Sequence, residues 1–370
     1  MHDPRKLRAL AAAAMVAIVA GGCAVGGPAG DKAGGVAGGT TVLSLATVSS
    51  QVQERPAIEY FIRQVEALSG GNLGIQVRYN WGSYAPNAEQ QVVHAVSAGT
   101  VDLAVVGSRV FDTMGVRTFQ ALTAPMLISS YALENAVIRS DMARQMLGSL
   151  ARLHVTGLGL LANGLRMPVA VAKPLLGPAS WQGITFGTYL SEGQEEAIRA
   201  LGATPRVAFG PVRNHFLTSG QLQGFEFNLL PYQISGYWGQ ARYITANVAL
   251  WPQADVLMVS PDRLAALTPQ QRAWLQQAAR EAADRSANDT ATAEASVVPA
   301  LCRHGVRFAQ ASQGDLASLR QAFARVYPNL ESDPQTRFFI SRIQAIERAT
   351  PAGPALTIPA GCVARIGRSP

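Results

Sequence analysis

Beyond residue 40 the apolar positions switch repeatedly between a period of two and a helical stripe. Residues 42–47 alternate and are rich in β-formers, which predicts a first strand. Pro56 opens a helix with Ile58, Phe61, Ile62, Val65 and Leu68 on one stripe, and Gly70-Gly71 ends it. Leu73, Ile75, Val77 and Tyr79 alternate again as a second strand. Pro86 begins another helix with Val92, Val93 and Val96 turned inward, Gly99 closes it, and residues 101–106 form a short buried strand. This β-α-β-α-β series predicts a parallel sheet with helices on its faces. Further strands are expected at 157–161, 169–171, 183–186 and 256–259, and a helix at 193–201. Residues 270–298 contain neither Gly nor Pro, which allows a helix of about 44 Å at 1.5 Å per residue, long enough to run across two domains. Residues 316–326 and 337–349 read as surface helices, and no internal repeat or heptad run is present.

The first forty residues follow a different logic. Arg5, Lys6 and Arg8 form a positive segment, residues 9–20 an apolar run, and Ala20-Gly21-Gly22-Cys23 a small-residue ending. Twelve apolar residues are too few to span a bilayer, so 1–22 reads as an export signal. The small-small-Cys ending resembles a bacterial lipobox, which implies cleavage before Cys23 and lipidation of its thiol; an ordinary secretory signal is the alternative. Residues 23–40 are mostly Gly, Ala and Pro and read as a flexible tether. Cys302 and Cys362 then remain as an even pair in an exported chain, which predicts a disulfide, with two buried thiols as the alternative.

Composition narrows the class. A chain of 370 residues suits two domains of about 150 residues each. With 48% hydrophobic and 15% charged residues, a sizeable core is expected. The net charge of +7 comes from scattered residues, so nucleic-acid binding is not expected. Only Lys6, Lys32 and Lys173 are lysines among 31 cationic residues, so any single arginine is weak evidence for an anion site.

Catalytic signatures are missing. The five histidines make no metal-ligand spacing with one another, and no cysteine pair does either. No nucleophile elbow, S-x-x-K, P-loop or strand-to-helix G-x-G-x-x-G is present. Glu195-Glu196 and Glu281 with Asp284 read as solvated helix faces rather than acid–base pairs. What is left, two α/β units, a crossing helix and a tether, suits capture of a small solute in a cleft, with no enzyme activity and no cofactor.

Seven segments in order then make the chain similar to the DctP-type solute-binding proteins of TRAP transporters. Gly70-Gly71-Asn72 and the following strand resemble "TgGrvkvevyp", residues 95–106 match "avqlGtvDlavv", and Ala124-Pro125-Met126-Leu127 stands where that family has "PfLf". Asn163-Gly164-Leu165-Arg166 matches "nGfR", Gly177-Pro178-Ala179 with Gly183 matches "spaDlkG", residues 200–205 match "alGanP", and 220–226 echo "GvvDGqE". The similarity runs through roughly residues 42–285. It implies an α/β, two-lobe, periplasmic-binding-protein-like fold of type II-like design, with parallel-rich sheets and a long cross-domain helix. Lobe I would take residues 41–165 and 251–283, and lobe II residues 166–250 and 284–370. The chain also departs from the family. The arginine of "GlkiR", which forks onto a substrate carboxylate, is Gly187 here; the Asp of "spaDlkG" is Ser180; in "GvvDGqEN" the Asp is Gln223 and the Asn is Phe227.

The resemblance places Arg166 at the ligand, where a planar fork of donors suits carboxylate or phosphonate oxygens; a structural ion pair near the hinge is the alternative. Arg206 and Arg213 are the two arginines on nearby loops that stand to replace the missing one. Gly187 opens space for a bulkier ligand, and Phe186, Phe225, Phe227, Trp238 and Trp251 offer aromatic walls, with Phe227 and Trp251 foremost. Trp81 and Tyr84 are expected contacts from the first domain at a strand end. Glu226 and Asn228 are expected to share hydrogen bonds with the ligand, and Asp102 to satisfy backbone donors. The expectation is a monomeric, lipid-anchored, extracytoplasmic receptor on the outer face of the cytoplasmic membrane or in the periplasm. It takes a small anionic or aromatic organic solute to a TRAP-type permease. A ligand-sensing receptor, an extracytoplasmic enzyme and a scaffold that has lost its ligand stay open as alternatives.

Overall fold

A computed structural model describes residues 40–364. The expected signal segment 1–22, Cys23 and all but the last residue of the tether lie outside the described residues.

The N-terminal part folds as its periodicity predicts. Strand β1 (Thr41–Ala46), helix α1 (Pro56–Ser69), β2 (Leu73–Arg78), α2 (Ala88–Ser97) and β3 (Leu103–Gly107) follow in order. Both β2 and β3 pair with β1 in parallel. Period-two alternation divides β3 between two cores: Leu103 and Val105 join Leu43, Phe61 and Val65 on the α1 side, while Ala104 and Val106 join Val92, Val93 and Val96 on the α2 side. A sheet covered on both faces needs apolar residues on both, and β3 is fully buried throughout.

After helices α3 (Tyr131–Ile138) and α4 (Asp141–Gly148) comes one 15-residue strand, β4 (Thr156–Ala170). The sequence suggested two separate strands here. Instead β4 runs through both halves of the sheet, pairing first with β9 (Trp251–Val259) and then with β7 (Gly224–Phe227) and β8 (Tyr243–Thr245). The second half is completed by β5 (Thr185–Thr188), α5 (Glu192–Ala200), β6 (Thr204–Val207), α6 (Gly210–Thr218) and α7 (Leu229–Ser235). The sheet order is β2-β1-β3-β9-β4-β7-β5-β6, with β8 on β4 and β10 (Arg307–Ala309) on β8. The pairs β3/β9, β9/β4 and β4/β7 are antiparallel, so the central seam is antiparallel between two parallel flanks.

Helix α8 (Pro261–Ala266) leads to α9 (Pro269–Arg303), which is 35 residues and about 52 Å long. Its start is set by Thr268, whose side chain and that of Gln271 form a reciprocal capping box ahead of Pro269. Small buried residues, Ala278, Ala279, Ala282 and Ser286, let α9 lie close against β4. Helices α10 (Gln313–Phe323), α11 (Tyr327–Leu330) and α12 (Pro334–Ala349) follow. Cys302 at the end of α9 is disulfide-bonded to Cys362, with Cα atoms 5.5 Å apart, and this ties down the C-terminal segment. Among the described residues no helix is long and apolar enough to cross a membrane.

Candidate ligand-binding site

Where β4 passes from β9 to β7, its pairing register shifts between Ala162 and Leu165. Gly164 makes this bulge with φ 109°, and a Cβ there would lie 2.3 Å from Nδ2 of Asn228. A bulge frees backbone groups and re-aims side chains. Here the freed groups are taken up by helices: Ala162 N–H donates to Ser286 Oγ at 3.0 Å, Thr290 Oγ1 donates to Ala162 O at 3.2 Å, and Leu165 N–H donates to the Tyr131 hydroxyl at 3.3 Å. Asn228 Nδ2 donates to Asn163 O at 2.8 Å across the bulge. Asn163, Arg166 and Asn228 thereby face one cavity of about 100 Å³. From the first half of the sheet, Ser49, Arg55, Tyr84 and Arg109 complete its wall; from the second, Tyr189, Phe209, Arg213, Phe227 and Tyr237.

Four arginines share this wall, all less than one-tenth exposed. Arg55, just before α1, pairs with Asp255 and donates Nε–H to Ser49 Oγ at 2.7 Å. Arg109, after β3, pairs with Glu89, which also accepts the Gly107 N–H at 3.0 Å. Gln253 on β9 binds the group together. Its Oε1 accepts from Arg109 Nη1 at 3.0 Å and from Arg166 Nη2 at 2.6 Å, while its Nε2 donates to Asp255 at 2.8 Å. The carboxylate of Glu226 is 4.0 Å from Arg166, and it is already held by Thr188 Oγ1 and Trp251 Nε1 at 2.6 Å each. At the rim, Glu54 accepts from Ser50 Oγ at 2.7 Å.

The guanidinium hydrogens are not all satisfied. Nη1 of Arg166, Nε of Arg109 and Nη2 of Arg213 are buried without a partner, as are Oδ1 of Asn163 and of Asn228. Buried polar groups without partners are uncommon, and each costs on the order of 1–3 kcal/mol. Tyr189 reports the local potential. Its ring centroid lies 4.1 Å from the guanidinium carbon of Arg109, 5.0 Å from that of Arg166 and 5.2 Å from that of Arg213. Loss of water acts to raise the phenol's pKa, and the fields of Arg213, Arg166 and Arg109 outweigh it, so the hydroxyl is held below its ordinary range. The cavity is built to hold negative charge. Among the described residues no cluster of three or more His, Cys, Asp or Glu side chains is placed to hold a metal ion.

Of the residues singled out from sequence, Tyr84, Arg166, Phe227 and Asn228 meet in the cavity wall. Four others do not line it, and each has a physical reason. Trp81 turns against the core beside α2. Gly187 faces Phe225 and Leu222, whose side-chain atoms would lie 3.0 and 3.2 Å from a Cβ. Glu226 and Trp251 are buried beneath the wall, where Glu226 accepts from both Trp251 Nε1 and Thr188 Oγ1. Of the two replacement arginines, Arg206 stacks over Phe216 at 3.7 Å and Arg213 reaches the cavity. Phe186 packs on Trp181, and Trp238 stacks on His304. Asp102 accepts the Ser44 N–H at 2.7 Å, the backbone role expected of it. Sequence reasoning missed Arg55, Glu89, Arg109, Tyr189, Gln253 and Asp255. One signal was available: Gln253 and Asp255 alternate within an otherwise apolar strand, and polar residues on a buried strand call for partners.

Comparison with known proteins agrees with this architecture. The family described as bacterial extracellular solute-binding protein, family 7 (DctP) matches residues 45–333. The uncharacterized protein YiiZ of Salmonella typhimurium is 23% identical over 313 residues, covering 83% of this chain and 92% of that protein. The C4-dicarboxylate-binding periplasmic protein DctP of Rhodobacter capsulatus is 26% identical over 167 residues, 45% of this chain and 49% of that one. Among solved structures, a TRAP periplasmic solute-binding protein of Anaerococcus prevotii with bound D-glucuronate superposes with a TM-score of 0.74 at 19% identity, over 85% of this chain and all of that one. One from Xanthobacter autotrophicus with bound β-D-galacturonate gives 0.72 at 20% identity, over 82% and 99% of the two chains. The family match over most of the chain and the shared two-lobe fold lead to one conclusion: this chain belongs to the DctP family of bacterial extracellular solute-binding proteins, those of TRAP transporters.

Proposed function

We propose that this protein captures a small organic anion between the two halves of its sheet and delivers it, chemically unchanged, to a TRAP-type membrane permease. The observation that carries this reading is the buried, unpartnered Nη1 of Arg166 in a cavity where three guanidiniums surround Tyr189. A carboxylate accepts such donors and brings the charge they call for. Hydroxyl groups on the same solute suit the free Oδ1 atoms of Asn163 and Asn228. Together these favour a hydroxylated carboxylic acid, the class to which D-glucuronate, D-galacturonate and D-erythronate in the similar proteins belong. We place one lobe at 41–165 with 251–283 and the other at 166–250 with 284–370, the receptor being monomeric and held at the membrane by lipid on Cys23. No cofactor is called for.

Native mass spectrometry tests the reading. The exported protein is expected to carry an organic acid, which Arg166→Ala loses by at least tenfold in affinity, and a diacylglycerol adduct at Cys23. A neutral or cationic solute would overturn the anion reading, and a free Cys23 thiol would remove the anchor.

A further inference from the structure

Away from the cavity, three neighbouring strand ends in the second half of the sheet each carry a cation. Strand β4 brings Arg166 to the cavity and runs antiparallel to β7, so Ala170 pairs with Gly224, the first residue of β7, whose last residue, Phe227, lines the cavity. From Arg166 to Ala170 the strand advances about 13 Å. Ala170 faces Tyr243 at the start of β8, and Tyr243 faces Arg307 at the start of β10. Lys173 follows β4, Arg242 precedes β8, Arg307 opens β10, and Arg303 and His304 close α9 just before it. Lys173, Arg242, Arg303 and His304 are exposed, and Arg307 is half-buried.

Two facts set this pole apart from an arginine-rich surface in general. The ion pairs among the described residues all engage other cations, and none involves Lys173, Arg242, Arg303 or Arg307. The segments that build the pole, 167–191, 227–254 and 295–314, contain no Asp or Glu. Neither does 350–364, whose Val363 covers the outer edge of β10 at Phe308. Asp315, the first acid after β10, is engaged with Ser312 in the capping box of α10. With the six cations and two acids outside residues 40–364 set aside, 25 Lys and Arg stand against 22 Asp and Glu, so these four cations exceed the whole surplus of the fold.

The cations are spread in a row rather than converging. Adjacent strands lie about 4.8 Å apart, so the three ends span about 10 Å. A small anion is held by donors that meet in a recess, as in the cavity; exposed cations in a row suit a plane of many charges. Long side chains without fixed partners adapt to a fluid array of phosphates, whereas docking on a protein's carboxylates favours held, bidentate geometry. Beside the row, Trp238 is half-buried and stacks on His304 at 4.2 Å, and Val363 is 48% exposed. Rings with an apolar body and a polar edge are favoured at headgroup level.

We propose that this pole rests on the anionic phospholipid headgroups of a bilayer, with Lys173, Arg242, Arg303 and Arg307 against the phosphates and Trp238 at headgroup level. This rests on the reading that the protein is held at a membrane through Cys23. Reach allows it. Gln271, at the start of α9, donates from Nε2 to Thr41 Oγ1 at 2.9 Å, so the first strand begins at one end of that helix and the basic pole stands at the other, about 52 Å away. The tether of residues 24–40 spans up to about 60 Å when extended. Contact at this pole does not cover the strand ends that line the cavity, so the solute site and the membrane are served by opposite ends of the same strands.

Vesicle sedimentation tests the pole apart from the anchor. The full-length chain carrying Cys23→Ser, which has no lipid, is spun with phosphatidylglycerol vesicles and with phosphatidylcholine vesicles; affinity owed to the N-terminal segment shows equally in both. Each cation at an anionic surface contributes about fivefold, so at low salt a preference for phosphatidylglycerol of about 100-fold or more is expected. Adding Lys173→Gln, Arg242→Gln and Arg303→Gln together, all at exposed positions, is expected to lower that preference at least tenfold and to leave solute binding unchanged. Equal partition of the Cys23→Ser chain into both vesicles overturns the proposal, as does a preference that the three substitutions leave intact. If partition is equal but the three substitutions slow solute uptake by cells with solute affinity intact, the pole serves the permease, and the lipid proposal is overturned. Should the substituted chain not fold, salt decides: a preference that persists in about 1 M NaCl, where charges are screened beyond about 3 Å, overturns the proposal. The anchor is read separately from the chain that retains Cys23: no binding to phosphatidylcholine beside a preserved preference for phosphatidylglycerol upholds the pole and removes the anchor.

Discussion

Arg55 and Arg213 stand in the wall of one cavity, and both are removed from water, yet only Arg55 has a carboxylate. The side carried by β3, β4 and β9 neutralises its arginines from within: Asp255 serves Arg55, Glu89 serves Arg109, and Gln253 spaces them. The α6 side surrounds its arginine with rings. The same residue type thus does two jobs. A buried charge with a partner fixes geometry, because removing the partner is costly; Arg213 is held instead by the Ala208 carbonyl and the rings and hydroxyls of Tyr189 and Tyr237.

Three changes break or sharpen this contrast. The largest effect is expected from Asp255→Ala, which strands Arg55 and should lower stability by about 3–5 kcal/mol in urea denaturation. A loss below 1 kcal/mol would show that the paired side is no more committed than the α6 side. Next comes Gly187→Arg. Alignment alone suggests that an arginine there restores affinity for simple carboxylates, but its Cβ would already lie 3.0 Å from Phe225 and 3.2 Å from Leu222, tighter than ordinary packing. The expected outcome is destabilisation by about 1–3 kcal/mol with no gain in binding, measured by melting and by titration with D-glucuronate.

The smallest effect concerns carboxyls that lack an arginine. Asp112 accepts from Ser191 Oγ at 2.6 Å and Gly193 N–H at 3.2 Å, and burial pushes its pKa up to about 6. Burial likewise pushes Glu294 up to about 7. A carboxyl raised in the folded state binds more protons there than in the unfolded chain. Its contribution to stability is complete below the unfolded pKa of about 4 and is lost as pH rises through 6 to 7. Asp112→Asn is expected to flatten the fall in melting temperature between about pH 4 and 6. An unchanged slope would mean that Asp112 is already ionised throughout.

Sequence and structure part company where burial on both sides hides the pattern. Strands β1 to β3 and helices α1 and α2 were legible because each has a distinct period and ends at Gly or Pro. β4 read as two pieces because Gly157, Gly159 and Asn163-Gly164 interrupt its alternation. Packing on α9 restores the missing bonds, through Ser286 and Thr290, and makes the strand continuous. Helix α9 was legible up to Val298, yet it runs on through Pro299 to Arg303, where the disulfide to Cys362 holds its last turn. In the site, Tyr84, Arg166, Phe227 and Asn228 were found from local motifs, while the abundance of arginine hid Arg55 and Arg109.

Local chemistry written in the chain determined that there would be alternating strands and helices, a cleft-forming fold and an arginine in the Asn163–Arg166 segment. These depend on period, end signals and side-chain type, all of which neighbours in sequence specify. Tertiary structure alone decided which arginines have partners. The carboxylate partners are distant from one another in the chain, Arg55 to Asp255 and Arg109 to Glu89, and among the described residues Arg213 has no ion-paired carboxylate. Charge compensation acts over a few ångströms in a medium of low dielectric, so only the folded arrangement settles which charges are paired within the chain.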